Sequence, residues 1–101
     1  MLEMNKKLVL ILNPRAGMKR ANRFLAEMLG VFEDAGYCCT TLVTRAGGDA
    51  RDFVAQYGKE ADLVVCIGGD GTLNEVVDGM VKNGFTARIG YIPAGSTNDF
   101  G

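Results

Sequence analysis

The stretch Leu63-Val-Val-Cys-Ile-Gly-Gly-Asp-Gly-Thr-Leu-Asn-Glu-Val-Val77 decides the fold. Its first five residues, 63–67, form a continuous apolar run, which reads as a strand covered on both faces. The run stops at Gly68-Gly-Asp-Gly71. Leu73, Val76, Val77, Met80 and Val81 then recur at the spacing of one helix face. A buried strand, a glycine turn and an amphipathic helix follow one another without spare residues.

The same alternation extends in both directions. Downstream, Asn83-Gly84 ends the helix, residues 88–92 read as another strand, and residues 93–99 as a loop. Upstream, Lys7-Leu-Val-Leu-Ile-Leu12 is a buried strand, broken by Asn13-Pro-Arg-Ala-Gly17. Ala21, Phe24, Leu25, Met28 and Phe32 trace a helix face, with Gly36 as its C-cap. Residues 37–43 are strand-like, with Tyr37, Cys39, Thr41 and Val43 on one face. Residues 44–48 form a loop, Asp49 is placed as an N-cap, and Ala50, Phe53, Val54 and Tyr57 form the next helix face up to Gly58. Four strands alternating with three helices predict an α/β fold: a three-layer parallel sheet with helices on both faces and right-handed crossovers.

Composition bounds the function. The chain of 101 residues is one domain at most, and its net charge of -1 argues against a nucleic-acid partner held by phosphate neutralisation. The basic residues bunch modestly at Lys6, Lys7, Arg15, Lys19, Arg20 and Arg23, as a solvated strand and helix start or as phosphate contacts. No histidine is present, so any proton transfer by this chain falls to Asp, Glu, Lys, Tyr or Cys. Cys38, Cys39 and Cys66 show no metal-site spacing and are expected as reduced, buried thiols of a cytosolic protein. The early apolar run 8–12 is too short to span a membrane.

Open α/β sheets bind ligands beyond the carboxyl ends of their strands. Here those segments are residues 13–17, 44–48, 68–74 and 95–99, all rich in Gly, Ser, Thr, Asn or Asp. Gly68, Gly69 and Gly71 allow close backbone approach before a helix N-terminus, where amides and the helix dipole favour an anion. Asp70, a carboxylate among such amides, points to a Mg²⁺ ion carried with phosphate; a plain turn former is the alternative. Thr72 and Glu75 have the spacing of a capping box, which would account for both. The P-loop motif is absent, and the third glycine of the dinucleotide fingerprint is replaced by Asn74.

Taken together, Asn13-Pro-Arg-Ala-Gly17, Gly68-Gly-Asp-Gly-Thr-Leu-Asn-Glu-Val76 and Pro93-Ala-Gly-Ser-Thr-Asn-Asp-Phe100 resemble the diacylglycerol kinase catalytic domain family, in particular its bacterial soluble lipid kinases. Sphingosine and ceramide kinases are relatives, and NAD kinases and phosphofructokinases share the Gly-Gly-Asp-Gly-Thr motif more distantly. The resemblance implies ATP-dependent transfer of the γ-phosphoryl group, with Mg²⁺, to the hydroxyl of a diacylglycerol-like lipid. It implies nucleotide contacts from Asn13, Pro14, Arg15, Ala16, Gly17, Thr44, Gly68, Gly69, Asp70, Gly71, Thr72, Leu73, Asn74 and Ser96, with Asn98 and Asp99 supporting the phosphate loop. Asp70 would be both the catalytic residue and the Mg²⁺ ligand. The chain departs from the family pattern at Ala16, where Ser is commoner, at Ser96, where Thr is, and at Thr97, often Gly. The resemblance further implies that this is an N-terminal fragment lacking a β-rich domain that supplies the base and much of the lipid site. A cytoplasmic enzyme acting peripherally at the membrane is expected, and a homodimer is left open. The competing expectations are a kinase with a soluble acceptor and a non-catalytic nucleotide-binding module.

Overall fold

The computed structural model describes residues 6–14 and 18–93, the side chains of residues 18–23 excepted. In chain order the elements are β1 (Lys6–Leu12), α1 (Met18–Asp34), β2 (Tyr37–Val43), α2 (Asp49–Tyr57), β3 (Leu63–Gly68), α3 (Asp70–Asn83) and β4 (Arg88–Pro93), with one 3-10 turn at Gly58–Glu60. All strand pairs are parallel and the order is β2-β1-β3-β4. The expected α/β architecture is therefore present, with its strands at the expected places.

The two central strands explain the layers. Leu8, Leu10, Leu12, Val65 and Ile67 are buried against Leu25, Met28, Leu29 and Phe32 of α1. Val9, Ile11, Val64 and Cys66 are buried on the opposite face with Ala50 and Val54 of α2 and Val76 and Met80 of α3. Chain direction across the sheet reverses after β2, since β3 lies on the far side of β1. Right-handed crossovers then require α1 on one face and α2 and α3 on the other, as found.

Close approach of α2 and α3 depends on a glycine. A Cβ at Gly79 would lie 3.1 Å from Val54 and 3.2 Å from the Arg51 carbonyl oxygen. Gly84, at φ 68°, caps α3 in the left-handed conformation as expected, and its N–H donates to the Met80 and Val81 carbonyls. Gly36, at φ 95°, plays the same part after α1.

Four expectations are corrected. Asp49 is the first residue of α2 and not its N-cap, a position taken by Gly48 at φ 92°. The inward face of α3 is Thr72, Val76, Gly79 and Met80, with Leu73 half-buried, while Val77 and Val81 face outwards. Thr72, Val76 and Met80 lie one turn apart along the covered side of α3, and Val77 and Val81, about 100° further round, stand beyond it. On β2, Thr41 and Val43 are exposed, and Leu42 joins the α2–α3 core instead. Cys38 is exposed and Cys39 half-buried, because β2 is an edge strand that the helices cover incompletely. Cys66 alone of the three is buried, and burial raises its thiol pKa to about 11.

Two outcomes follow. Gly79→Val, which forces methyl groups into the α2–α3 contact, lowers unfolding stability by about 2 kcal/mol in chemical denaturation. Iodoacetamide at pH 8 alkylates Cys38 first and leaves Cys66 intact in the folded protein, since the thiolate is the nucleophile and the Cys66 thiol holds its proton until the pH nears about 11. Peptide mapping reads both sites, and equal labelling would contradict this.

Candidate functional site

The β1 and β3 strands end side by side, and the chain leaves them towards opposite faces of the sheet. A cleft of about 540 Å³ opens there. Its walls are Asn13 and Pro14 after β1, Val43 at the end of β2 with residues 44–47 after it, and Gly71, Thr72 and Glu75 of α3. Three strand-end segments named from sequence thus meet in one place, at the edge where ligands of such sheets bind.

Their meeting is held by side chains. Asn13 Nδ2 donates to Thr72 Oγ1 at 3.0 Å across 59 residues of sequence. Gly68 makes this possible: a Cβ there would lie 3.0 Å from Asn13 Cβ and 3.1 Å from Thr72 Oγ1. Glu75 Oε2 accepts the backbone N–H of Gly48 at 3.0 Å. The capping box is therefore not formed, and α3 has no side-chain cap. The helix starts three residues earlier than that motif requires, at Asp70 with Gly69 as its N-cap. Thr72 and Glu75 then sit inside it and reach neighbouring loops.

Residues 44–48 are tied down in the same way. The N–H and hydroxyl of Thr44 both donate to the Leu12 carbonyl. Asp49 Oδ2 accepts the N–H groups of Arg45 at 2.7 Å and Ala46 at 3.0 Å. With the Gly48 N–H on Glu75, the amides of Arg45, Ala46 and Gly48 already face carboxylates. This wall of the cleft is consequently not an anion cradle.

The N-terminus of α3 is different. The first amides of a helix have no partner within it, and they attract anions. A Cβ at Gly69 or Gly71 would meet nothing within 4 Å, so these glycines leave space open in front of the amides. Asp70 is exposed at the head of the helix, and Tyr91 Oη donates to its Oδ1 at 3.3 Å. Burial first, and the Asp70 charge second, raise the Tyr91 pKa, so the phenol keeps the proton that it donates. Asp70 itself lies beside the cleft and does not line it. Among the described residues no three His, Cys, Asp or Glu side chains cluster as a metal cage. A single carboxylate at a phosphate-attracting helix end suits a Mg²⁺ ion that arrives with its phosphates.

The remaining expected site residues divide. Leu73 packs towards the core, and Asn74 is exposed on α3. Arg15, Ala16, Gly17, Ser96, Asn98 and Asp99 lie outside the described residues. Glu75 and Asp49 were read from sequence as helix caps; Glu75 instead holds Gly48, 27 positions away, and Asp49 holds Arg45 and Ala46, up to 4 positions before it, partners that no local sequence signal marks. A second cleft of about 440 Å³ lies at the opposite edge, but its Lys7 is engaged with Glu60 at 3.0 Å.

Thr72→Val keeps the side-chain shape and removes the acceptor for Asn13, so unfolding stability falls by about 1 kcal/mol. A double-mutant cycle with Asn13→Ala returns a coupling of similar size by denaturant titration. Zero coupling would remove this contact from the framework of the cleft.

Comparison with known proteins agrees with the fold. Residues 7–101 match the family described as "Diacylglycerol kinase catalytic domain". The chain is 41% identical over 96 residues to a diacylglycerol kinase of Bacillus subtilis, covering 94% of this chain and 32% of the relative. It is 41% identical over 100 residues to a diacylglycerol kinase of Staphylococcus epidermidis, covering 97% of this chain and 31% of that one. The crystal structure of a diacylglycerol kinase from Bacillus anthracis superposes with a TM-score of 0.78 at 28% identity, over 94% of this chain and 35% of the other. The chain spans about one third of the length of the curated relatives it matches. With the family match over residues 7–101 and the superposed fold in agreement, the chain belongs to the diacylglycerol kinase catalytic domain family.

Proposed function

We propose that this chain is the nucleotide-binding part of an ATP-dependent lipid kinase that phosphorylates a diacylglycerol-like hydroxyl. The observation that carries the reading is the cleft at the strand ends, with open glycines and an exposed Asp70 at the head of α3. The relatives' names supply the lipid class, and the family supplies the kinase chemistry.

In this reading the polyphosphate of ATP faces the α3 N-terminus, where Gly69 and Gly71 let the backbone come close. Asp70 would hold Mg²⁺, which would supply positive charge to offset that of the phosphates. Tyr91 steadies the Asp70 carboxylate from β4. The bond from γ-phosphorus to the bridging oxygen breaks and a bond to the acceptor oxygen forms, while the hydroxyl proton passes to a base. No residue of this chain is assigned that role, and the base and acceptor site are proposed to lie in further sequence of a longer protein, as the threefold greater length of the relatives supports. Among the described residues no helix is long and apolar enough to cross a membrane. The enzyme is proposed to meet its lipid peripherally, from the cytoplasm. Arg15, Ser96, Asn98 and Asp99 keep their proposed places around the phosphates.

The test is radiolabelled phosphate transfer from ATP–Mg²⁺ by the full-length protein. Diacylglycerol, phosphatidylglycerol and sphingosine are offered in mixed micelles, and NAD and fructose 6-phosphate in solution. Transfer to a lipid is expected, with Asp70→Asn lowering kcat by about 10³-fold at unchanged thermal midpoint, on the scale of losing a preorganised charge-stabilising group. Near-normal turnover by Asp70→Asn would end the role given to Asp70. Transfer to a soluble acceptor alone would end the lipid assignment.

A further inference from the structure

We propose that Glu75 is a positioning residue for the nucleotide cleft: by accepting the Gly48 N–H it fixes residues 44–48 as a rigid wall against α3. The proposal rests on the reading of this cleft as a nucleotide site.

Three observations carry it. The hydrogen bond joins two different walls of the cleft, since Glu75 stands on α3 and Gly48 ends the segment after β2. Gly48 is held at φ 92°, a conformation that side-chain-bearing residues rarely adopt, and it presents its N–H to the carboxylate. The other anchors of the wall act elsewhere: Asp49 closes its turn internally, and Thr44 fastens its beginning to Leu12 of β1. Among the described residues, the Glu75 bond is the hydrogen bond between this segment and α3. Without it the turn keeps its internal shape but can move away from the helix whose head faces the phosphates.

An acceptor oxygen at this reach suits the task. Losing it would leave the part-buried Gly48 N–H without its acceptor. Acting through Gly48, Glu75 affects the ground-state fit of the nucleotide and not the reacting atoms. Its removal therefore weakens binding more than turnover.

The full-length protein, Glu75→Ala and Glu75→Gln are compared in two measurements. Gln keeps an acceptor oxygen at the same reach. In hydrogen–deuterium exchange of the nucleotide-free protein, peptides covering residues 46–50 exchange about tenfold faster in Glu75→Ala, as loss of one net-favourable hydrogen bond implies, and Glu75→Gln stays near wild type. In steady-state transfer, Glu75→Ala raises KM for ATP about tenfold with kcat within about threefold, and Glu75→Gln restores KM. Should Glu75→Ala not fold, Glu75→Met, of similar length and without an oxygen acceptor, takes its place. Unchanged exchange around Gly48 in the Ala variant overturns the proposal. So does a Gln variant as impaired as Ala, because the charge would then be acting on the ligand itself. If the wild type binds ATP by calorimetry but transfers to no acceptor, the kinase reading alone falls, and the same contrast is read in Kd. If it does not bind ATP, the nucleotide reading and this proposal fall together.

Discussion

Leu8, Leu10 and Leu12 leave one face of β1, Val9 and Ile11 leave the other, and all five are buried. Val64, Val65, Cys66 and Ile67 repeat the arrangement on β3. Burying a large aliphatic side chain is worth roughly 1.5–3 kcal/mol, so leaving either face of these strands in water would cost far more than a small domain can spare. Both faces must be covered, which needs helices above and below, and parallel strands need such crossovers anyway. The same pairing of β1 with β3 brings the residues after each strand together. Asn13 stands beside Gly68 and Thr72 because Leu12 pairs with Ile67 one residue earlier.

That logic was legible in the sequence. Apolar runs at 8–12 and 63–67, turn residues after them and helical periodicity between them gave the element order and the edge where the cleft opens. The limits of the reading are equally physical. Helical spacing identified an apolar stripe on α3 but not its width, and Val77 and Val81 belong to its outward margin. Their exposure depends on where the sheet and α2 meet the helix, which no single-helix pattern encodes. The inward half of β2 was likewise misjudged, since an edge strand need not bury one clean face.

The site was legible as a set of segments and less so as a set of contacts. Residues 13–14, 44–47 and 71–72 do line one cleft. What local grammar could not supply was the destination of each polar side chain. Thr72 and Glu75 obey the spacing of a capping box, and Asp49 the preference of an N-cap, yet each is committed elsewhere: Thr72 to Asn13, Glu75 to Gly48, Asp49 to the turn before its helix. Short-range rules rank what a residue can do near its own backbone. They do not see a better partner delivered by the fold from 59 or 27 residues away. The glycines separate in the same fashion, with Gly68 required by packing between two elements and Gly69 and Gly71 leaving open space.

The long sequence separations of the Asn13–Thr72 and Gly48–Glu75 bonds also couple the cleft to the whole domain. Neither bond exists until β3 has docked beside β1 and α3 has packed on the sheet, so no partly folded chain offers an intact cleft. A nucleotide that binds here recognises the folded population alone, and mass action then raises the free energy of global unfolding by about 2.7 kcal/mol at a hundred times Kd. The concentration of any such ligand would thereby become a determinant of how much of this polypeptide is folded at any moment.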